Sequence, residues 1–223
     1  MTVKGKLILM RHGETDHNKQ RLMTGQMDVP LNKTGEEQAR TAGLLLKGIK
    51  IDKVYSSTLS RAFNTAALAL ETAGQKLPIE QRVELVEGDA GEFAGRNMDT
   101  DPEVIKYVRL YDNSAPGGES DKQVVARVQK IFDKEIRPRL ERGETVVVSS
   151  HSGTTRCFDI VIGLEPTPAD GTARKRRLIP NAGPEVHEYE DGVRVRSYAL
   201  ANPNVPLKTA NQNNVNDAKK FKP

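Results

Sequence analysis

The chain has 223 residues and a mass of 24.6 kDa, which is enough for one substantial hydrophobic core. Its 34 basic and 30 acidic residues are nearly balanced, so charge alone indicates neither a nucleic acid nor another polyanion as partner. A single cysteine excludes an internal disulfide and a cysteine-rich zinc site, and no apolar run is long enough to span a membrane. We therefore expect a cytoplasmic globular protein without a nucleic acid or membrane partner.

Short apolar runs alternate along the chain with helical patterns. Strands are predicted at 7–10, 54–55 and 145–149, and helices at 34–47, 58–72, 119–140 and 153–162. Near the end, the pair Asp191-Gly192 separates two alternating stretches, which predicts a β-hairpin. This order predicts an α/β fold, a three-layer sandwich with a mostly parallel central sheet and helices on both faces.

The remaining segments complete the predicted domain organisation. We expect one domain over residues 1–200, with a small cap insertion at about 96–118. The basic run "RKRR" at 174–177 is predicted to be a solvated segment, and a lid over an anionic substrate is the alternative. From about residue 201 the chain is rich in Asn, Pro and Lys, which is typical of a flexible C-terminal tail.

Charged side chains follow three of the predicted strands. Arg11 and His12 follow the first strand, Arg61 lies shortly after the second, and His151 follows the third. Because ligands of open parallel sheets bind beyond the carboxyl ends of the strands, we expect these side chains to meet. Two guanidinium groups match the oxygens of a phosphoryl group, and an imidazolium would add a third positive charge. The sequence therefore predicts a site for a phosphate dianion.

Six motifs, in this order and spacing, resemble the histidine phosphatase superfamily, which includes cofactor-dependent phosphoglycerate mutase. The motifs are "RHGETDHN" at 11–18, "TGQMDVPLNKTGEEQA" at 24–39, "YSSTLSRAFNTA" at 55–66, "LVEGDAGEFAG" at 85–95, "PGGES" at 116–120 and "SSHSGTTR" at 149–156. The resemblance implies an enzyme that transfers or hydrolyses phosphoryl groups of a small phosphorylated substrate and that needs no metal.

The resemblance also implies roles for five catalytic residues. His12 would attack phosphorus and form a phosphohistidine. Arg11 and Arg61 would lower the pKa of His12 and hold the phosphoryl oxygens, and His151 would complete the cradle. Glu87 would donate a proton to the leaving oxygen and then act as a base toward water or an acceptor hydroxyl.

Five further residues are implied as substrate-binding groups. Asn18 and the Thr24–Gly25 pair would hydrogen-bond the substrate or orient the nucleophile. Arg109 matches a carboxylate-binding arginine of the mutases, and Ser152 follows the second catalytic histidine directly.

Other titratable residues near these motifs have simpler interpretations. Asp89 and Glu92 lie close enough in sequence to compete with Glu87 for the role of the acid. His187 is expected on a strand face of the terminal hairpin, and Cys157 is expected on an apolar helix face as a small core residue.

Two departures from the mutase pattern bear on the reaction. Mutases of this family generally carry an Arg directly after the catalytic Glu and a His-Gly-Asn trio at the second histidine. This chain has Gly88 and His151-Ser152-Gly153 at these places. On these missing groups we favour a metal-independent phosphatase that acts on a small phosphorylated metabolite and needs no cofactor.

Two alternatives stay open. The first is a 2,3-bisphosphoglycerate-dependent phosphoglycerate mutase, in which Arg109 and the basic run would supply the missing grip. The minor alternative is a non-catalytic relative that binds a phosphorylated ligand. Short relatives are often dimeric, so a homodimer is an open alternative to a monomer.

Overall fold

The computed structural model describes residues 2–107, 109–173 and 177–201. Within them the strands are β1 (Lys4–Arg11), β2 (Lys53–Ser57), β3 (Ile79–Arg82), β4 (Thr145–Ser150), β5 (Pro184–Glu190) and β6 (Val193–Ala199). They form one sheet in the order β3-β2-β4-β1-β5-β6. The first four strands in that order are parallel, and β5 and β6 add an antiparallel hairpin at the edge. The predicted α/β fold with a mostly parallel sheet is confirmed.

Seven α-helices accompany the sheet in the described part of the chain. They are α1 (Asp16–Lys19), α2 (Lys33–Leu46), α3 (Ser60–Ala73), α4 (Pro102–Lys106), α5 (Asp121–Ile131), α6 (Arg137–Glu141) and α7 (Ser152–Val161). The helix predicted over 119–140 is observed as α5 and α6 with one widened turn, Phe132–Ile136, between them. Pro138 has no N–H to donate to a carbonyl in that turn, which accounts for the irregularity.

The central strand β1 shows why both faces of the sheet are covered. Leu7 and Leu9 pack in the core beneath α5 and α7, whereas Ile8 and Met10 pack in the core beneath α2 and α3. All four side chains are at most 1% exposed. Because consecutive residues of a strand face opposite sides, a strand buried on both sides has a continuous apolar sequence. The run "LILM" is therefore the signature of this three-layer arrangement.

The predicted hairpin is observed as β5 and β6, joined by Asp191 and Gly192. Both residues have positive φ angles, 48° and 79°, as a two-residue type I′ turn requires. Strand β3, in which only Ile79 is apolar, was not predicted from the sequence. A short edge strand that is half-buried and polar carries no periodic apolar signal.

The segment predicted to be a cap contains α4. Its Val104 and Ala115 pack with Phe93 in a small apolar cluster, next to Met23. The predicted flexible tail lies outside the described residues except for Ala201. Among the described helices, none is both long and apolar enough to cross a membrane.

Candidate active site

The carboxyl ends of β1 and β4 bring two histidines together. In the parallel register Arg11 lies opposite Ser150, and the His12 N–H donates to the Ser150 carbonyl at 2.9 Å. The ring centroids of His12 and His151 are consequently 5.2 Å apart. The predicted meeting of the residues that follow the first and third strands is thus observed.

The His12 imidazole is held in one tautomer. Its Nδ1–H donates to the Gly13 carbonyl at 2.6 Å, so the lone pair is on Nε2, to which no described residue donates a hydrogen bond. Burial lowers the pKa of His12 to about 3, and the positive charges of Arg11 and Arg61 contribute. His12 is therefore neutral at pH 7, as a nucleophile must be.

Gly13 allows the turn that carries His12 to approach α2 closely. A Cβ atom on Gly13 would lie 2.3 Å from the Gly35 carbonyl oxygen, so any side chain would force the two segments apart. The Gly13 N–H donates to Thr65 Oγ1 of α3 at 3.0 Å. The turn is therefore fixed by elements on one face of the sheet.

Two arginines lie near His12, of which Arg61 is buried and Arg11 is half-buried. The Arg11 Nη1 donates to the Ile179 carbonyl at 2.9 Å, and the Arg61 Nη1 and Nη2 donate to the Met27 and Gly25 carbonyls at 2.7 and 2.8 Å. The Nε atoms of both arginines are buried and have no hydrogen-bond partner among the described residues. Unpaired buried donors on two adjacent cations are well suited to the oxygens of an anion.

His151 lies beside these arginines and is completely buried. Its Nε2 is 2.8 Å from Ser57 Oγ at the end of β2. Burial, with the nearby Arg61 and His12, lowers the pKa of His151 well below its ordinary value. The protein groups alone therefore favour a neutral His151, and the imidazolium beside a bound phosphate dianion stays a prediction.

The Glu87 carboxylate is bound to the first turn of α7. Its Oε2 accepts from the Gly153 N–H at 3.0 Å, and its Oε1 accepts from the Gly88 and Thr154 N–H groups at 2.9 and 3.2 Å. A Cβ atom on Gly153 would lie 2.5 Å from Oε1. A side chain at position 153 would therefore displace the Glu87 carboxylate from its present position.

The protonation state of Glu87 follows from these bonds. Burial alone would raise its pKa, but the hydrogen bonds from Gly153 and Gly88, together with the charges of Arg156 and Arg61, outweigh burial and lower it. Glu87 is thus ionised at neutral pH, and its charge also acts on His12.

Of the predicted substrate-binding residues, Gly25 contacts a catalytic group directly, whereas Thr24 and Asn18 act through a neighbouring residue. The Gly25 carbonyl holds Arg61, and the Thr24 carbonyl accepts from the Met27 N–H in the same loop. The Asn18 Oδ1 accepts at 3.4 Å from the Asn181 side chain, which also donates to the His12 carbonyl. These contacts favour the orienting role over direct substrate binding for these residues.

Arg109 lies next to Gly88 and is already paired. Its Nη2 is 2.8 Å from Asp121 Oδ1 and donates to the Glu119 carbonyl at 3.3 Å. A Cβ atom on Gly88 would lie 3.3 Å from this Nη2. The guanidinium therefore occupies space that a side chain at position 88 would need, and Asp121 balances its charge.

Ser152 lies at the start of α7. Its Oγ accepts from the Arg156 Nη1 at 2.8 Å, one helical turn later. The charge of Arg156 acts on Glu87, so Arg156 belongs to the site although the sequence analysis assigned it no role. Arg156 could have been proposed as a site residue from the sequence, because it ends the motif "SSHSGTTR" and lies four residues after Ser152.

The basic run at 174–177 departs from its prediction where it is described. Arg177 is only 5% exposed and is paired with two buried carboxylates, so the prediction of a solvated segment is wrong for this residue. The other three residues of the run lie outside the described residues. Arg177 therefore cannot supply a grip on a substrate carboxylate.

Three further residues of the site, Ser57, Thr154 and Asn181, were not predicted from the sequence. Ser57 and Thr154 stand inside the quoted motifs, but their partners, His151 and Glu87, come from distant parts of the chain. Within the described residues, no group of three or more His, Cys, Asp or Glu side chains could hold a metal ion.

The family is established by comparison with known proteins. Residues 7–194 match the model of the histidine phosphatase superfamily (branch 1). The chain belongs to this superfamily, and the resemblance of its motifs is confirmed. It is an enzyme of the phosphatase or phosphoglycerate mutase type within that superfamily.

Curated relatives are named as mutases. The 2,3-bisphosphoglycerate-dependent phosphoglycerate mutase of Parvibaculum lavamentivorans is 36% identical over 83% of this chain and 90% of its own. The enzyme of the same name from Methylobacterium sp. (strain 4-46) is 41% identical over 70% of this chain and 79% of its own. These names favour the mutase alternative over the phosphatase interpretation that the sequence departures favoured.

Solved structures include both types of enzyme. The phosphoglycerate mutase from Bacillus anthracis str. Sterne has a TM-score of 0.70 and 27% identity, and the match covers 87% of this chain and 92% of that one. A mycobacterial glucosyl-3-phosphoglycerate phosphatase complexed with vanadate has a TM-score of 0.68 and 25% identity, with coverage of 82% and 92%.

Proposed function

We propose that the protein is a 2,3-bisphosphoglycerate-dependent phosphoglycerate mutase that acts through a phosphohistidine at His12. The observation that carries phosphoryl transfer is the geometry of His12, whose Nδ1–H is bound to the Gly13 carbonyl and whose neutral ring lies within the electrostatic influence of Arg11 and Arg61. The mutase reaction is supported by the curated relatives, which are 36% and 41% identical.

The nucleophilic step follows from the tautomer of His12. The Nε2 lone pair attacks phosphorus in line, and the new N–P bond forms as the bond to the departing oxygen breaks. The Gly13 carbonyl accepts the Nδ1–H and stabilises the positive charge that the ring acquires. Because the pKa of His12 is about 3, protonation does not compete with attack in the neutral range.

The arginines stabilise the charge on the transferring group. The buried Nε atoms of Arg11 and Arg61 donate to its equatorial oxygens, and both guanidinium groups are held in place by backbone carbonyls. Preorganised donors of this kind act strongly in a water-poor site. His151, held by Ser57, lies against His12 and completes the wall of the pocket.

Glu87 moves the proton. The protein groups keep it ionised, and the negative charge of a bound phosphoryl group raises its pKa by repulsion. The carboxyl group then gives its proton to the leaving oxygen and, in the second half of the reaction, removes one from the acceptor hydroxyl.

The residues present fit 2,3-bisphosphoglycerate. The unpartnered Nε donors of Arg11 and Arg61 suit one phosphoryl group, and Arg109, paired with Asp121, lies beside Gly88. When bound, this compound supplies the phosphoryl group that charges His12.

The cytoplasmic location, the homodimer and the domain limits stay predictions from the sequence.

A phosphatase is the second candidate, and a specific contact favours it. Arg109 is paired with Asp121, and Gly88 offers no side chain, so a substrate carboxylate would find a neutralised partner. A loosely held glycerate leaves the phosphohistidine open to water, which is the phosphatase reaction.

The two candidates are separated by their products. The enzyme should be given 3-phosphoglycerate with a catalytic amount of 2,3-bisphosphoglycerate, and 2-phosphoglycerate and inorganic phosphate should be measured together. We expect 2-phosphoglycerate to form at least about tenfold faster than phosphate, because a mutase rephosphorylates its bound acceptor. Phosphate release that outruns isomerisation would contradict the mutase and support the phosphatase. The His12→Ala variant should form neither product.

A further inference from the structure

Three buried charged side chains form a cluster behind the active site. Arg177 lies between Asp159 of α7 and Glu185 of β5. Its Nε and Nη2 each donate to Asp159 at 2.8 Å, and its Nη1 and Nη2 donate to Glu185 at 2.5 and 2.7 Å. The three residues are 5%, 0% and 3% exposed. Four charge-assisted hydrogen bonds thus fix both the place and the orientation of the guanidinium.

The burial of three charged side chains carries a large desolvation cost, so the cluster contributes little net stability to the fold. It contains one positive and two negative charges, and burial, together with the charge of Glu185, raises the pKa of Asp159 to about 6 despite the opposing effect of Arg177. Apolar residues of similar volume often replace such buried clusters without loss of stability. The arrangement therefore points to a role in placing other groups.

The residues directly after Arg177 hold Arg11. We call residues 178–183 the anchored segment. The Ile179 carbonyl accepts from Arg11 Nη1 at 2.9 Å, and the Ala182 N–H donates to the Arg11 carbonyl at 2.9 Å. The anchored segment thus sets both the backbone and the guanidinium of this arginine.

The anchored segment also holds the nucleophile. The Asn181 side chain donates to the His12 carbonyl at 3.0 Å and to Asn18 Oδ1 at 3.4 Å. Since the His12 ring is bound to the next carbonyl along the chain, a shift of this backbone would move Nε2 relative to phosphorus.

The other end of the cluster is continuous with the acid. Asp159 belongs to α7, and the first turn of α7 binds the Glu87 carboxylate through the Gly153 and Thr154 N–H groups. Glu185 lies opposite Leu9 on β1, two residues before Arg11. The cluster therefore joins the helix that holds the acid to β5, which pairs with β1, the strand that ends at the nucleophile.

We propose that Arg177 is a positioning residue for phosphoryl transfer. Clamped by Asp159 and Glu185, it fixes the start of the anchored segment and thereby the Arg11 guanidinium and the His12 backbone. This inference rests on the proposed phosphoryl transfer at His12, and it holds for a mutase and a phosphatase alike.

The test compares the cluster as a charged and as an apolar unit. The rate constant for phosphohistidine formation from p-nitrophenyl phosphate should be measured by rapid quench in the unchanged protein, Arg177→Lys, Arg177→Met and the triple variant Arg177→Met/Asp159→Leu/Glu185→Leu. KM and the melting temperature should be measured for each protein. Arg82→Met is the matched control, because Arg82 is also held by two carboxylates, Glu80 and Glu135, but does not contact the anchored segment.

We expect Arg177→Met and the triple variant to form phosphohistidine about 10- to 100-fold more slowly, the loss that a displacement of about 1 Å causes, with KM changed by less than about threefold. The triple variant should regain the melting temperature lost in Arg177→Met but not the rate. Arg177→Lys should be intermediate, since an ammonium cannot bind both carboxylates in a planar fork. Arg82→Met should keep the unchanged rate.

Two results would overturn the inference alone. One is a triple variant that is as stable and as fast as the unchanged protein. The other is Arg177→Lys with an unchanged rate, which applies even if the triple variant does not fold. Absence of phosphohistidine in the unchanged protein would overturn the proposed function and this inference with it.

Discussion

Gly153 and Glu87 illustrate at the residue scale how a missing side chain shapes the site. The absence of a Cβ at position 153 lets the Glu87 carboxylate accept two N–H groups from the first turn of α7. The positive end of a helix stabilises an anion, so Glu87 is held ionised and in one orientation. The position of the carboxylate in this site is thus one that leaves no room for a Cβ at position 153.

Glu87→Gln should separate the proton donor from its neighbours. An amide cannot give a proton to the leaving oxygen, so alkyl phosphates should be turned over ~10²–10⁴-fold more slowly, while aryl phosphates, whose leaving groups need little protonation, should be nearly unaffected. Asp89→Asn is the control, because Asp89 accepts from the Gly91 N–H in its own loop and an amide oxygen can still accept that bond. Equal losses on both substrate types would argue against Glu87 as the acid.

Asp121→Asn should change substrate preference through Arg109. Asn at position 121 can still accept from the Arg109 Nη2, but it removes the negative charge 2.8 Å away, so the charge of the guanidinium is available to a substrate carboxylate. We expect KM for 3-phosphoglycerate to fall about fivefold, the factor that ~1 kcal/mol of ion pairing supplies, with no change for glycerol 3-phosphate. Asp170→Asn removes the same charge from the partner of Lys122 and should leave both values unchanged. Parallel changes for both substrates would refute the role of Arg109 in carboxylate binding.

The site residues that could be predicted from the sequence are those that directly follow a predicted strand. His12 and Arg11 could be located because an apolar strand runs directly into them, and His151 because β4 ends in the same way. Arg177 could not be assigned a role, because its partners lie 18 residues before it and 8 residues after it, on two different elements. A run of basic residues is predicted to be solvated when only the sequence is known. The carboxylates that surround Arg177 are visible only in the folded structure.

At the scale of elements, the strength of the apolar pattern decided what could be predicted. The parallel strands β1 and β4 are buried on both faces and carry continuous apolar runs, and the β5–β6 hairpin carries an Asp-Gly turn. The edge strand β3 and the short α4 carry no such pattern. Elements that the core does not enclose are therefore the ones that the sequence leaves undetermined.

The β5–β6 hairpin contains a buried histidine that affects stability. His187 lies on β5 and its Nδ1 is 2.8 Å from Ser197 Oγ on β6. Burial lowers its pKa to about 3, helped by Arg177 and Arg194. In the unfolded chain the imidazole binds a proton below about pH 6.5, whereas in the folded protein it does so only near pH 3. Its contribution to stability is therefore present above pH 6.5 and is lost as pH falls toward 3.

His187→Gln should reduce this pH dependence. Between about pH 5.5 and 4, the free energy of unfolding should fall less steeply with decreasing pH in the variant than in the unchanged protein. The two slopes should differ by about 1.4 kcal/mol per pH unit, because the variant takes up one proton fewer on unfolding. Ser197→Ala keeps the imidazole buried and should keep the steep slope. Urea titrations at a series of pH values give both slopes, and identical slopes for His187→Gln and the unchanged protein would contradict the account.

At the scale of the whole molecule, the sheet order assembles the site. The order β3-β2-β4-β1 places the carboxyl ends of β2, β4 and β1 side by side, so Ser57, His151 and His12 meet although the chain separates them by up to 139 positions, from residue 12 to residue 151. The antiparallel β5 adds the anchored segment from the other side of β1. Motifs that are individually short thus become one pocket through topology.

The most direct test of the central claim is the site of phosphorylation. The protein should be mixed with ³²P-labelled 2,3-bisphosphoglycerate, quenched in alkali, which preserves phosphohistidine, and the labelled peptide identified by mass spectrometry. The account predicts an acid-labile label on His12 alone, formed at least as fast as turnover, and no label in a folded His12→Ala variant. A label that persists in His12→Ala, or turnover without any phosphohistidine, would contradict it.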